Sequence, residues 1–359
     1  MNNQHPEPRK DSKPVIGITH GNINGISYEV LIKAFSDTRI FDFFTPIVYG
    51  SSKVASYHRK VLNREDFSFN LIKRPDFANA NRANIMNITD DEIRIELGRQ
   101  TEEASKMSLL AMDTAYRDVL DGSLDAVVNM PVGSSAFRLA GTEFRDVDDY
   151  LLTVLNAKDT LLIIVNEYLK IGFVTGHIPF KDIPSVINRE LVVRRIEQMN
   201  RTLREDFAVS SPEIAVLAMN PHCEVLNDTG EEEKEHIIPA IKECSEKGIL
   251  VHGPYASDRF FESGAYKKFD AILALYHEQG LLPFRTLSPS TGVLYYSGLP
   301  SIITQPAHDS GIPLAGQGEY DPTPTRNAMY LAQKIVQNRA LYRSEHGNKH
   351  VPMYPEGNE

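Results

Sequence analysis

Three histidines share one kind of setting. The stretch "YLKIGFVTGHIP" ends an apolar run at His177, and "EIAVLAMNPHCE" ends another at His222. "FDAILALYHEQG" carries the unbroken apolar run Ala271 to Leu275 up to His277. Runs of this kind read as strands covered on both faces, so each imidazole stands where a buried strand stops. Alone, each would be an ordinary hydrogen-bonded structural histidine. Repeated three times, the placement points to one site, because open α/β sheets bind ligands just beyond the carboxyl ends of their strands. Three imidazoles converging there match a catalytic metal centre, with three protein ligands and one open position.

Other groups could do chemistry, each with a plainer alternative. Asp258 follows a strand in "GPYASDRFFESG" and is either a general base or a solvated loop carboxylate. Asp146, Asp148 and Asp149 in "FRDVDDY" could ligate a metal, although acids gathered in a loop are more often simply solvated. "THGNINGISYE" is a glycine-punctuated strand-to-helix turn that could cradle phosphate, without the spacing of a dinucleotide fingerprint. "AHDSGIPLAGQGEYDP" is a long glycine-rich loop after a strand, either functional or a surface connection.

The elements that must hold these groups alternate between strand and helix along most of the chain. That pattern predicts βα units around parallel strands, an α/β fold. The 359 residues suit two domains, 42% are apolar, and the formal net charge of -10 argues against a nucleic-acid-binding protein. Cys223 and Cys244 make no disulfide framework. No segment looks like a signal peptide and no apolar run approaches membrane-spanning length, so a cytoplasmic protein without membrane contact is expected. The polar, proline-containing ends, 1–13 and 346–359, read as disordered tails.

Taken together, "VTGHIP", "MNPHCE", "GPYASD", "LYHEQG" and "GLPSIITQPAH" resemble the 4-hydroxythreonine-4-phosphate dehydrogenase family of vitamin B6 biosynthesis, over about residues 14–340. The resemblance implies a two-domain α/β/α fold of the isocitrate and isopropylmalate dehydrogenase type. We assign 14–140 plus 300–345 to the first domain, with the cofactor loop, and 141–299 to the second, with the metal histidines. It implies that His177, His222 and His277 bind one divalent metal (Zn, Mg, Mn, Co or Ni) at a homodimer interface. It also implies that NAD accepts a hydride from a small hydroxy acid whose product can lose CO2. "HDSGIPLAGQG" is similar to the family's cofactor loop, which makes His308, Gly311, Gly316 and Gly318 the expected NAD contacts. Asp258 is the expected base, unless a metal-bound water serves.

Departures from the family pattern concentrate on the phosphate clamp. A His-Thr pair is replaced by Val147 and Asp148, a lysine by Ser134, and an asparagine and an arginine by Leu294 and Ile303. Asn22 stands for an aspartate and Asp309 for a glycine. Arg285 keeps the charge of a family lysine, and Arg145 is a candidate replacement cation beside Asp148. Losing two or three charge-assisted bonds would cost roughly 5 kcal/mol, more than a thousandfold in affinity. The expectation is an NAD-linked, metal-dependent dehydrogenase of 4-phosphooxy-threonine or of an altered hydroxy acid. The alternative is an NAD-independent lyase or hydrolase, or a non-catalytic metal-binding paralogue.

Overall fold

The computed structural model describes residues 13–133, 135–221, 223 and 230–347. His222, Ser134, and the tails 1–12 and 348–359 lie outside these residues, whereas His346 still belongs to the last helix.

In chain order the elements begin with β1 (Val15–Thr19), α1 (Ser27–Phe35), β2 (Thr45–Gly50), α2 (Ser52–Val61), β3 (Asn70–Ile72), β4 (Asn84–Asn87), α3 (Glu102–Leu120), β5 (Ala126–Val128), α4 (Ala136–Leu139) and α5 (Val147–Val154). They continue through β6 (Leu161–Val165), β7 (Lys170–Phe173), α6 (Ile183–Val186), α7 (Arg189–Glu205), β8 (Glu213–Leu217), α8 (Ile238–Glu246), β9 (Leu250–Tyr255), α9 (Ser257–Glu262), β10 (Ala271–Ala274) and α10 (His277–Leu287). β11 (Val293–Ser297), β12 (Ile302–Pro306) and α11 (Thr323–His346) complete the chain.

Two compact units result. Among the described residues, the first holds 13–160, 290–294 and 299–336; the second holds 161–289, 295–298 and 337–347. The segment 141–160 packs in the first unit, where Tyr150 of α5 donates its hydroxyl to Asp113 of α3 and meets the rings of Phe137 and Phe144. The end of α11 packs in the second, where Arg339 reaches buried Asp206 just beyond α7.

The first unit's strands run β3-β4-β2-β1-β5-β12, every pair parallel. All residues of β1, β2 and β5 are buried, as strands covered on both faces must be. The second unit's strands run β6-β7-β10-β8-β9. Here the expectation of parallel units fails once: β6 and β7 are antiparallel, with Ile163 opposite Gly172. The reason is length. Four residues join them, too few for a crossover, and Asn166 closes the turn by accepting at Oδ1 from the N–H groups of Tyr168 and Leu169. The remaining pairs are parallel, so β7, β8, β9 and β10 deliver their loops to the same end of the sheet.

Candidate functional site

In the second unit, β7 and β10 are neighbours whose contact continues past their ends. Val174 N–H donates to Ala274 O at 2.8 Å, and Thr175 donates to Leu275 O from both its N–H (3.2 Å) and its Oγ1 (2.9 Å). His177 and His277 therefore leave the sheet side by side, and their ring centroids lie 4.4 Å apart at 44°. His277 is also the first residue of α10, a helix that the strand reading alone does not show. That helix can lie on β7 because Gly280 carries no side chain. A Cβ there would sit 2.6 Å from Ile171 Cγ2 and 2.9 Å from the Phe173 ring. The same approach brings His277 within 5.1 Å of the Phe173 ring.

The chemistry of the pair suits a metal. Burial, with the neighbouring His177 adding to it, lowers the pKa of His277, which favours the neutral, ligating imidazole. Its Nδ1 meets Glu278 Oε1 at 3.2 Å, which leaves Nε2 as the outward donor atom. The third expected ligand, His222, lies outside the described residues. Both sides of its loop are anchored, however. Buried Glu233 Oε1 accepts from Met219 N–H and Asn220 N–H at 2.7 and 2.8 Å, and Cys223 Sγ lies 3.5 Å from Pro254 O. Among the described residues no group of three or more His, Cys, Asp or Glu is placed to hold a metal. Nothing in the sequence signalled Glu233, since its partners lie 13 and 14 residues away.

The other expected residues scatter. Asp258 is exposed in the first turn of α9, after β9. Arg285 is exposed in the last turn of α10 and contributes to lowering the His277 pKa. Arg145 and Asp148 belong to the first unit. Asp148 sits in the first turn of α5, whose N-cap is Asp146, accepting from Asp149 N–H at 2.9 Å. Arg145 is occupied nearby: its Nε lies 3.7 Å from Asp149 Oδ2. Ile303 is fully buried in β12, opposite Val127 of β5, so the position of the family arginine is filled by core.

The glycine-rich loop follows β12. His308 Nδ1 lies 2.7 Å from Asp309 O and its Nε2 lies 3.3 Å from Thr325 Oγ1, and burial lowers its pKa. Asp309 does not stand free as an anion in the loop: its Oδ1 accepts from Gly311 N–H at 2.8 Å. Gly311, Gly316 and Gly318 all adopt positive φ. The N–H groups of Gly316 and Gly318 already have an acceptor, because Glu29 of α1, only 1% exposed, accepts from them at 2.5 and 3.1 Å. One turn along α1, Lys33 donates to Gly318 O and Tyr320 O. Glu29 Oε1 also lies 4.0 Å from His58 Nδ1, too far for a hydrogen bond. An ion pair would raise the His58 pKa, yet burial dominates and holds it at about 4, so we read that ring as neutral.

With this geometry in hand, the chain matches the family model for the pyridoxal phosphate biosynthetic protein PdxA over residues 42–332. The 4-hydroxythreonine-4-phosphate dehydrogenase of Bacteroides thetaiotaomicron is 39% identical over 348 residues, which is 97% of this chain and 95% of that protein. A Cutibacterium acnes protein, provisionally assigned as a D-threonate 4-phosphate dehydrogenase, is 29% identical over 93% of this chain and 97% of its own. The solved 4-hydroxythreonine-4-phosphate dehydrogenase of Burkholderia phymatum superposes with a TM-score of 0.75 at 27% identity, covering 90% of this chain and 99% of that one. A terephthalate 1,2-cis-dihydrodiol dehydrogenase from Burkholderia xenovorans, at 19% identity and a TM-score of 0.62 over 90% of this chain and 98% of its own, shares the fold alone.

Proposed function

Because the chain belongs to the PdxA family of pyridoxal phosphate biosynthesis, we propose that it is a divalent-metal-dependent, NAD-linked dehydrogenase of a phosphorylated hydroxy acid, with 4-hydroxythreonine 4-phosphate the first candidate. One observation carries the reading: the His177 and His277 rings stand 4.4 Å apart at the ends of adjacent parallel strands. Two adjacent imidazoles fit a borderline-soft divalent ion, and His222 is the third ligand in this reading. When bound, the metal supplies Lewis acidity at the substrate hydroxyl. The protein's own groups orient the substrate and accept its proton. Arg285, on the helix that His277 opens, offers a cation for an anionic substrate group. Asp258 is exposed near the end of β9 and is the residue we assign to take the hydroxyl proton. The loop 307–320 would hold NAD through the His308 and Tyr320 rings, whose centroids are 5.1 Å apart, rather than through Gly316 and Gly318 N–H. Decarboxylation of the oxidised product belongs to the same reading.

We place the protein in the cytoplasm as a homodimer. Among the described residues no helix is long and apolar enough to cross a membrane. Phe180, 72% exposed and beside the Tyr276 ring, and Leu282, 66% exposed on α10, are apolar side chains on the histidine-bearing segments that a second copy would cover.

A second reading, an altered hydroxy-acid substrate, is favoured by Val147 and by buried Ile303, neither of which can grip a phosphate. Steady-state NADH formation with 4-hydroxythreonine 4-phosphate, D-threonate 4-phosphate and their unphosphorylated forms, across divalent metals, tests both. The first reading expects turnover of a phosphorylated acid that EDTA abolishes. Turnover of unphosphorylated acids alone would establish the second, and no NADH from any of them would overturn both.

A further inference from the structure

We propose that Gln279 is the positioning residue that sets the spacing of the His177–His277 pair, an inference that rests on the metal reading above. Gln279 is 9% exposed and is the third residue of α10. Its Oε1 accepts from Leu275 N–H at 2.7 Å. Its Nε2 donates to Ala218 O at 2.6 Å and to Ser257 Oγ at 2.9 Å. One amide thus ties the end of β10 to the end of β8 and to the start of α9.

Leu275 is the residue that matters, through the two peptide groups that flank its Cα. Gln279 holds its N–H, and its carbonyl holds Thr175 by two bonds. His177 lies two residues beyond Thr175, and His277 two beyond Leu275. A shift of Leu275 moves both imidazoles, and metal ligation tolerates only a few tenths of an ångström. The chemistry demanded is one acceptor and two donors on an arm of this length. Methionine fills the space and supplies neither; glutamate keeps the acceptor and loses the donors; asparagine falls short by a methylene. Outer groups that orient metal ligands are typically worth 10–100-fold in affinity.

The test is titration of the full-length chain with Co2+, read by its visible absorption, which reports both affinity and coordination geometry. Gln279→Met should weaken Co2+ binding by about tenfold or more and change the spectrum. Tyr295→Phe is the control for general destabilisation in the same unit, since that hydroxyl serves the Asp206–Arg339 pair. It should lower the unfolding midpoint and leave Co2+ affinity and spectrum as in the wild type. Wild-type affinity and spectrum in Gln279→Met would overturn this inference alone. A wild-type chain that binds no Co2+ would overturn the metal reading and this inference with it. If Gln279→Met does not fold, Gln279→Glu serves. It retains the bond to Leu275 and opposes a carboxylate to Ala218 O, so about fivefold weaker Co2+ binding is expected, and unchanged binding overturns the proposal.

Discussion

Glu29→Gln would separate the two jobs of the glycine-rich loop, keeping its own shape and meeting a ligand. The carboxylate is 1% exposed and accepts from Gly316 and Gly318 at 2.5 and 3.1 Å. An amide keeps one acceptor oxygen and turns an NH2 toward the other N–H. One charge-assisted bond, worth about 1.5–3 kcal/mol, is lost, and one half-buried N–H is left without its partner at about 1–3 kcal/mol. Relief from holding a buried charge offsets part of this, so we expect a loss near 2–4 kcal/mol. Lys33 still grips Gly318 O and Tyr320 O, so the loop loosens without leaving α1. If the loop must be ordered to take NAD, about 2 kcal/mol of lost order lowers apparent NAD affinity roughly 30-fold. Hydrogen exchange at the Gly316 and Gly318 amides, urea unfolding and NAD titration read the three consequences. Unchanged exchange protection together with NAD affinity within twofold of the wild type would refute the reasoning.

Gly280→Ala should cost about 1–3 kcal/mol by overpacking, because the new Cβ meets Ile171 and Phe173; thermal unfolding measures the cost, and metal affinity should fall with it as α10 lifts from β7. Arg339→Met leaves Asp206, 4% exposed and bonded to Tyr295, as an unpaired buried charge, and should cost about 3–5 kcal/mol in urea unfolding; adding Asp206→Leu should recover much of that loss. Acid should destabilise the fold before most carboxylates titrate. Burial holds His20 and His58 at about 4, while the unfolded chain takes up protons at both below 6.5. The unfolded state therefore binds more protons across that window, and stability drops by about 3 kcal/mol per ring as pH falls from 6.5 to 4. His58→Gln, whose amide can still donate to Ile23 O, should flatten the dependence of the urea midpoint on pH.

The buried parallel strands were legible because their apolar runs are unbroken, and the histidines because such runs end on them. α10 was not, since Gly280 and Pro283 both read as helix breakers. The glycine is there for the close approach to β7, a fact about a neighbour a hundred residues away in the chain. The β6–β7 reversal could have been read from its four-residue link. Glu29 and Gln279 could not. Each is one polar letter beside a motif that drew notice for other residues, and its meaning lies in partners that only the folded chain brings near. The glycine loop was found by its pattern, but pattern alone does not say that its amides already face a side chain.

The Glu29–Gly316 bond spans 287 residues of chain. Nearly all of the second unit is inserted between the two parts of the first that this bond joins. During synthesis, β5 emerges with the edge that will meet β12 still bare, and Ile302 follows Val128 by 174 positions. At ribosomal speeds of about 5–20 residues per second, that edge waits on the order of ten to thirty seconds. The second unit can be largely assembled while the first still presents an apolar, unpaired strand to its surroundings. A cell making this chain in quantity therefore has a sticky nascent intermediate to shield, and it persists until β12 arrives.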